Sequence, residues 1–224
     1  MESYVPTLRG QLKTHIIHIP PIIGKNVTGI KINEKLIKSI IFTTDIAIIR
    51  NMNADAIIAV YPFTPQPIIT QAIMMAAEVP VFCGVGGGTT QGARVVNLAK
   101  HAEFQGAMGV VLNSPTKNEI VKEISQSIDI PIVLTVVSEK TDIKERLAAG
   151  ASILNVSGAK NTPDIIRKIR REFGNEIPII ATGGPTDETI MQTIEAGANA
   201  VTYTPPTNGE IFSELMVKYR DAEM

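Results

Sequence analysis

The chain has 224 residues, with 21 basic side chains against 22 acidic ones and a single cysteine, Cys83. That length suits one large domain that buries its own core without disulfide or metal staples, and the scattered, balanced charges speak against a nucleic-acid or membrane surface. One cysteine excludes an intrachain disulfide and fits a reducing compartment. With no apolar h-region in Met1–Gly10 and no apolar run near the ~20 residues of a membrane span, a cytoplasmic protein is expected.

The first 37 residues stand apart from the rest. Ile16–Ile23 is apolar but broken by His18, Pro20 and Pro21. Val27–Ile32 and Leu36–Ile41 flank Asn33-Glu34-Lys35 and read as a hairpin leading into the first strand of the main body. Thr14–Lys35 is therefore expected to cover one end of that body and to add no active-site residue, His15 and His18 included.

From Lys38 onward two patterns alternate. One is a Pro-led apolar strand, as in Val79-Pro80-Val81-Phe82, Ile130-Pro131-Ile132-Val133 and Ile177-Pro178-Ile179-Ile180. The other is Gly-Ala-led and opens at Gly106, Gly150 and Gly197. Each recurs at roughly 45–50 residues, a period that holds two strand–helix units rather than one. Proline is tolerated at a strand start, and a glycine after a helical pattern stops the helix. Unbroken apolar strands mark a parallel sheet covered on both faces.

Eight strands follow in order: Lys38–Thr43, Ala56–Tyr61, Val81–Gly84, Gly109–Asn113, Ile132–Val136, Ser152–Ser157, Ile179–Thr182 and Ala200–Thr204. Amphipathic helical patterns lie between them, as in Asn118–Ile128 and Asp187–Ala196, and the last runs from Gly209 to about Tyr219. Eight alternating units predict an α/β (β/α)8 TIM barrel with a short N-terminal extension, one domain over residues 1–224 with residues 1–37 covering its bottom. A doubly wound open sheet is the alternative.

In such a barrel chemistry sits past the strand C-termini. There the sequence is rich in hydroxyls and amides and poor in charge, which suits an oxygen-rich ligand. Asp45, after the first strand, is a candidate general base or the N-cap of the next helix. Asn113 and Lys160 complete the catalytic set, Lys160 as a cation or a solvated loop residue. Gly86, Gly87, Gly88 and Thr89 form either an anion-binding nest or a tight turn. Asn155, Ser157, Thr204 and Thr207 are further ligand contacts. Cys83 is expected to be buried and unreactive. The three histidines assemble no metal site, and no cofactor is expected.

Ile179-Ile180-Ala181-Thr182-Gly183-Gly184, followed by a helix and then Ala196-Gly197-Ala198-Asn199-Ala200-Val201, resembles the last quarter of the phosphate-binding TIM barrels. The resemblance implies that Gly183 and Gly184 offer backbone N–H groups to a phosphate. The chain departs from that pattern after the last strand, where Thr204-Pro205-Pro206-Thr207-Asn208 replaces a Gly-Ser pair and removes donors.

These features predict an enzyme on a small phosphorylated or polyhydroxylated metabolite, of lyase, isomerase or hydrolase type. Its ligand would be held between the Gly84–Thr90 loop and Gly183-Gly184. The partner expected is a small phosphorylated molecule, with a homodimer as a further association. The alternative is a metabolite-sensing regulatory barrel similar to glycerol-operon antiterminators.

Overall fold

A computed structural model of the chain describes residues 16–223 and, before them, Pro6 alone. His15 lies outside the described residues. The elements run α1 (Pro21–Asn26), β1 (Ile30–Ile32), β2 (Lys35–Ile37), β3 (Ser39–Phe42), α2 (Ile46–Arg50), β4 (Ala56–Ala59), α3 (Pro67–Ala76), β5 (Val81–Gly86), α4 (Ala93–Phe104), β6 (Gly109–Leu112) and α5 (Asn118–Ser125). They continue with β7 (Ile132–Val136), α6 (Ile143–Ala148), β8 (Ile153–Val156), a 3-10 turn at Ala159–Asn161, α7 (Thr162–Phe173), β9 (Ile179–Thr182), α8 (Asp187–Glu195), β10 (Ala200–Tyr203) and α9 (Asn208–Glu223). Strands β3 to β10 are all parallel and close into a barrel in chain order, β10 pairing with β3. This is the (β/α)8 TIM barrel, with each predicted strand in place.

Successive strand residues point to opposite faces, and the two faces fill two cores. Outward residues such as Ile41, Ile57, Cys83, Val110, Leu134, Leu154, Ala181 and Val201 pack under the helices. Inward residues Ile40, Ala56, Ile58, Phe82, Val111, Val133, Ile153, Ile180 and Ala200 fill the lower barrel. The same inner core contains Ile30, Ile32 and Ile37 of the β1–β2 hairpin, so the hairpin packs into the inner core. Its two-residue turn puts Asn33 and Glu34 at φ 46° and 66°, the left-handed pair that suits a tight hairpin. Lys35 belongs to the second strand, pairing with Ile32, rather than to the turn. The Gly29 N–H donates to the Asn199 carbonyl at 2.8 Å, tying the hairpin to the start of β10. His18 is exposed, with Nδ1 3.4 Å from Asn53 Nδ2 just before β4, at the end of the strands opposite the expected site.

The rest of the N-terminal segment does something the sequence pattern did not announce. Helix α1 leaves the barrel bottom and packs against α8, and Ile19, Ile23 and Val27 enter the outer core. Helix α9, which follows the last strand, contributes no buried residue among those described. Only Ile211, near its start, is packed against the outer core.

Arg170 of α7 ties the last two strand–helix units together. Its guanidinium donates to the carbonyls of Gly197 (2.8 and 2.9 Å), Ile177 (2.7 Å) and Gly174 (3.2 Å), and to Asn199 Oδ1 (2.6 Å). Partial burial lowers its pKa from the usual value. Arg170→Ala strips these acceptors of their donor and is expected to cost about 2–3 kcal/mol, read from the urea midpoint. Arg170→Lys should recover little, because an ammonium is a point donor that cannot fork across several acceptors.

Candidate active site

The glycine run after β5 shapes the mouth of the barrel. The β5–β6 register slips between Gly84 and Gly86, a bulge that turns the strand end toward the next loop. Gly86 and Gly87 sit at φ 121° and 94°, where a side chain is strained. A Cβ on Gly87 would lie 1.8 Å from Thr116 Oγ1. The Gly87 N–H donates to the Thr90 carbonyl at 2.8 Å, and the Asn113 N–H donates to the Gly86 carbonyl at 3.0 Å. Gly86 and Gly87 thus serve turn and close packing, and the Gly87 amide is spent within the loop. The N–H groups of Gly88 and Thr89 meet no protein acceptor among the described residues.

The loop after β6 backs this run. The Asn113 carbonyl accepts from Thr116 N–H (3.1 Å) and Oγ (2.7 Å). Arg146, in α6, donates to the carbonyls of Ser114 (3.0 Å) and Thr116 and to Asn118 Oδ1 (2.8 Å). The nearby cation is therefore occupied in fastening this loop. Sequence spacing gave no sign of that role, because the contacts span about thirty residues.

Between the ends of β4, β5 and β6 lies a cavity of about 200 Å³. Val60, Pro62, Phe63, Pro65 and Val111 give it apolar walls, and Tyr61, Gly88, Thr89, Thr90 and Asn113 give it polar ones. The Gln66 N–H donates to the Tyr61 hydroxyl oxygen at 2.8 Å, which leaves the phenolic proton free for another partner. Thr90, buried, donates through Oγ1 to Thr64 Oγ1 at 3.0 Å and links the loops after β4 and β5. The Asn113 carboxamide makes no hydrogen bond among the described residues. Tyr61 is the phenol of this cavity and was given no role from sequence; its signal was an aromatic hydroxyl at the end of the expected second strand, two residues past β4.

By alternation, the upper inward positions of β7 to β10 are Thr135, Asn155, Ser157, Thr182 and Thr202. Thr182 Oγ1 donates to Ser157 Oγ at 3.2 Å, and Asn155 Nδ2 lies 3.5 Å from Thr135 Oγ1. The buried Asn155 Oδ1 has no hydrogen-bond partner among the described residues. The far half of the mouth is thus a neutral layer of hydroxyls and amide above the aliphatic core.

The other predicted site residues lie apart from the cavity. Asp45 is the N-cap of α2, with Oδ1 accepting from Ala47 N–H (2.8 Å) and Ile48 N–H (3.2 Å). Its Oδ2 accepts from Asn208 Nδ2 at 2.6 Å, across 163 residues. Lys160 is exposed on the 3-10 turn after β8 rather than inside the barrel. A Cβ on Gly183 would meet Val201 and Ile190 at 2.7 and 2.9 Å, and one on Gly184, at φ 83°, would meet Thr189 Oγ1 at 2.6 Å. These glycines let the end of β9 pack against α8, and neither lines the cavity. The α8 N-terminus begins with Asp187 and Glu188, and the Glu188 backbone N–H and Thr186 side chain hold its carboxyl below the usual range. Thr204 is exposed, and Thr207 is engaged with Glu210, whose Oε2 accepts from its N–H and hydroxyl at 2.7 and 2.8 Å. The helices after β9 and β10 thus begin with exposed carboxylates, Asp187 and Glu188 in one and Glu210 in the other.

No protein-family model matches the chain. Several curated relatives do, all named 4-hydroxy-tetrahydrodipicolinate synthase. One from Methanococcoides burtonii is 34% identical over 134 residues, 48% of this chain and 45% of the relative. One from Gluconacetobacter diazotrophicus is 25% identical over 168 residues, 67% of this chain and 54% of the relative. The chain thus spans about half of the length of these relatives. Among solved structures, a phosphonopyruvate hydrolase complexed with oxalate and Mg²⁺ aligns with a TM-score of 0.61 and 10% identity over 86% of this chain and 83% of that one. A phosphonomutase-like protein from Burkholderia cenocepacia aligns at 0.59 and 15% over 83% and 90%. These likenesses establish the barrel fold.

Cys83 points away from the mouth into the outer core, 2% exposed, and burial pushes its thiol up to about 12. The folded state requires the protonated form, so this contribution to stability holds below the ordinary thiol range and is lost as pH rises toward 12. At neutral pH the native protein is expected to resist thiol reagents, labelling only at the rate of unfolding. Fast labelling of the folded chain would contradict the placement.

Proposed function

We propose that the chain is a TIM-barrel enzyme acting on a small polyhydroxylated or carbonyl-bearing metabolite by lyase or isomerase chemistry, in the cavity above β4, β5 and β6. The observation that carries this reading is that donors unpaired among the described residues and a phenol line one small cavity. The Gly88 and Thr89 amides and the Asn113 carboxamide offer hydrogen bonds to a substrate oxygen, and Tyr61 offers a proton to the same space. Donors fixed in advance on an apolar-walled site stabilise charge that develops on an oxygen, because the site need not reorganise. Tyr61 is then the general acid or base, with the Gln66 N–H holding its oxygen in place. The relatives named as synthases favour lyase-type bond formation over hydrolysis. The absence of Lys or Arg from the cavity wall, and the carboxylates that begin the helices after β9 and β10, favour a substrate whose recognised groups are hydroxyl, carbonyl or a single carboxylate over a phosphate. No observation favours the regulatory reading.

The test begins with a thermal-shift screen of sugars, oxo acids and their phosphorylated forms, since binding to the native state raises the melting temperature. Unphosphorylated compounds are expected to give the larger shifts. With a substrate in hand, Tyr61→Phe should lower turnover by about 10²–10⁴-fold while leaving binding near normal. Asn113→Ala should weaken binding about tenfold. Asp45→Asn should leave turnover within a few-fold of the parent. Full activity in Tyr61→Phe, or loss of it in Asp45→Asn alone, would refute the assignment.

A further inference from the structure

The glycine loop after β5 separates two spaces. Gly86 and Gly88 line the cavity above β4, β5 and β6. Gly87 lines another, on the outer side of the loop, between the first turns of α4 and α5. This outer cavity measures about 370 Å³. Its apolar part is Val95, fully buried, and Ile120, half-buried against the outer core. Thr116 also lines it, 3% exposed, with its hydroxyl spent on the Asn113 carbonyl at 2.7 Å. A Cβ on Gly92 would meet nothing within 4 Å, so the space beside the start of α4 is open. At the ~30 Å³ that one water takes in the liquid, the cavity holds on the order of ten heavy atoms, and its size falls within the ~300–1,000 Å³ of small-molecule sites.

We infer that this outer cavity binds a small monocarboxylate with an apolar body, at a site of its own behind the glycine loop. The body is set by Val95 and Ile120, which give a hydrocarbon a dry surface to cover. The charge is set by Lys117, the one ionic side chain that lines the cavity. Lys117 is exposed and makes no ion pair among the described residues. An ammonium at the rim of an apolar space takes a carboxylate at the edge while the hydrocarbon lies within. Lys117 stands between this cavity and a neighbouring open groove, and the nearby acids Glu119, Asp142 and Glu145 line that groove and not the cavity. Gln91, the other polar side chain at the rim, is held to the loop by donating to the Gly88 carbonyl at 2.9 Å. The starts of α4 and α5, neither closed by a side-chain cap, add partial charge of the same sign as Lys117. One cation over an apolar floor matches one negative charge. A phosphate dianion would leave its second charge against Val95 and Ile120, where nothing offsets the lost hydration.

The test maps binding by methyl NMR on the parent chain, with octanoate and octan-1-ol as probes. Octanoate is expected to move the methyl signals of Val95 and Ile120, with a dissociation constant on the order of 1 mM or tighter. Those of Ile40 and Ile153, inside the barrel, should stay in place. Lys117→Gln should weaken octanoate about five- to tenfold and leave octan-1-ol unchanged. Ile120→Trp, which fills the cavity, should abolish binding of both probes while keeping the circular dichroism of the parent. An absence of shifts at about ten times the expected dissociation constant overturns the inference. So does octanoate binding that Lys117→Gln leaves intact, or that survives in folded Ile120→Trp. Shifts confined to Val60 and Val111, which line the cavity above β4, β5 and β6, overturn it as well, and they leave the reading of that cavity standing.

Discussion

Each strand of a closed parallel barrel must satisfy two cores at once, because its residues point alternately outward to the helices and inward to the axis. In this chain the inward set changes character with height. Ile40, Ala56, Phe82, Val133, Ile153, Ile180 and Ala200 fill the lower barrel with aliphatic and aromatic groups. Two residues further along, β7 to β10 present Thr135, Asn155, Thr182 and Thr202. The transition costs little where the hydroxyls find neighbouring acceptors, as Thr202 does at the Ala181 carbonyl (3.3 Å) and Thr182 at Ser157. It leaves Asn155 Oδ1 without a partner among the described residues. A packed lower barrel supports a polar upper one, and the site stands on that step. The hairpin sets its floor, since Ile30, Ile32 and Ile37 share the inner core.

The site that results is electrically quiet. Three charged groups near the mouth are engaged by the scaffold: Asp45 by the α2 amides and Asn208, Arg146 by the carbonyls of the loop after β6, Glu210 by Thr207. Recognition then falls to fixed dipoles. Dipoles discriminate by geometry rather than by net charge, and a site that offers N–H groups to an oxygen rejects an analogue lacking that oxygen by leaving its own donors bare. A cavity of about 200 Å³ lined by a phenol and by amides unpaired among the described residues is suited to distinguishing small substrates by where their oxygens lie.

Much of this was legible in the sequence, for reasons specific to it. The Pro-led and Gly-Ala-led strands repeat, and a repeat reports topology because each copy must pack like its neighbour. The hairpin was legible from Asn33-Glu34, and the burial of Cys83 from its place on an apolar strand. Asn113, Gly86, Gly88 and Thr89 line the cavity. What sequence could not decide were matters of competition between distant groups. An aspartate after a strand serves equally as base or cap, and here Asn208, 163 residues away, takes the second oxygen. A glycine serves equally as anion nest or close contact. Gly87 is the latter because of Thr116, and Gly183 because of Val201 and Ile190. Tyr61 was one of several polar residues past a strand until the cavity selected it.

The place of α1 shows how such competition shapes the whole molecule. Helix α1 packs against α8, the helix of the seventh strand–helix unit, while α9, which follows the eighth strand, buries no residue among those described. Helix α1 is short, but it carries Ile19, Ile23 and Val27 in and around one turn and buries all three. It is also tethered on its far side by the hairpin, whose insertion into the barrel floor fixes where α1 ends. Its entry therefore costs little further chain entropy once the floor is closed. Helix α9 is longer, yet it leaves β10 through Pro205 and Pro206, whose fixed backbone and missing N–H groups favour an extended exit over a tight turn back onto the barrel. The side of α8 thus goes to the helix that the floor already holds in place.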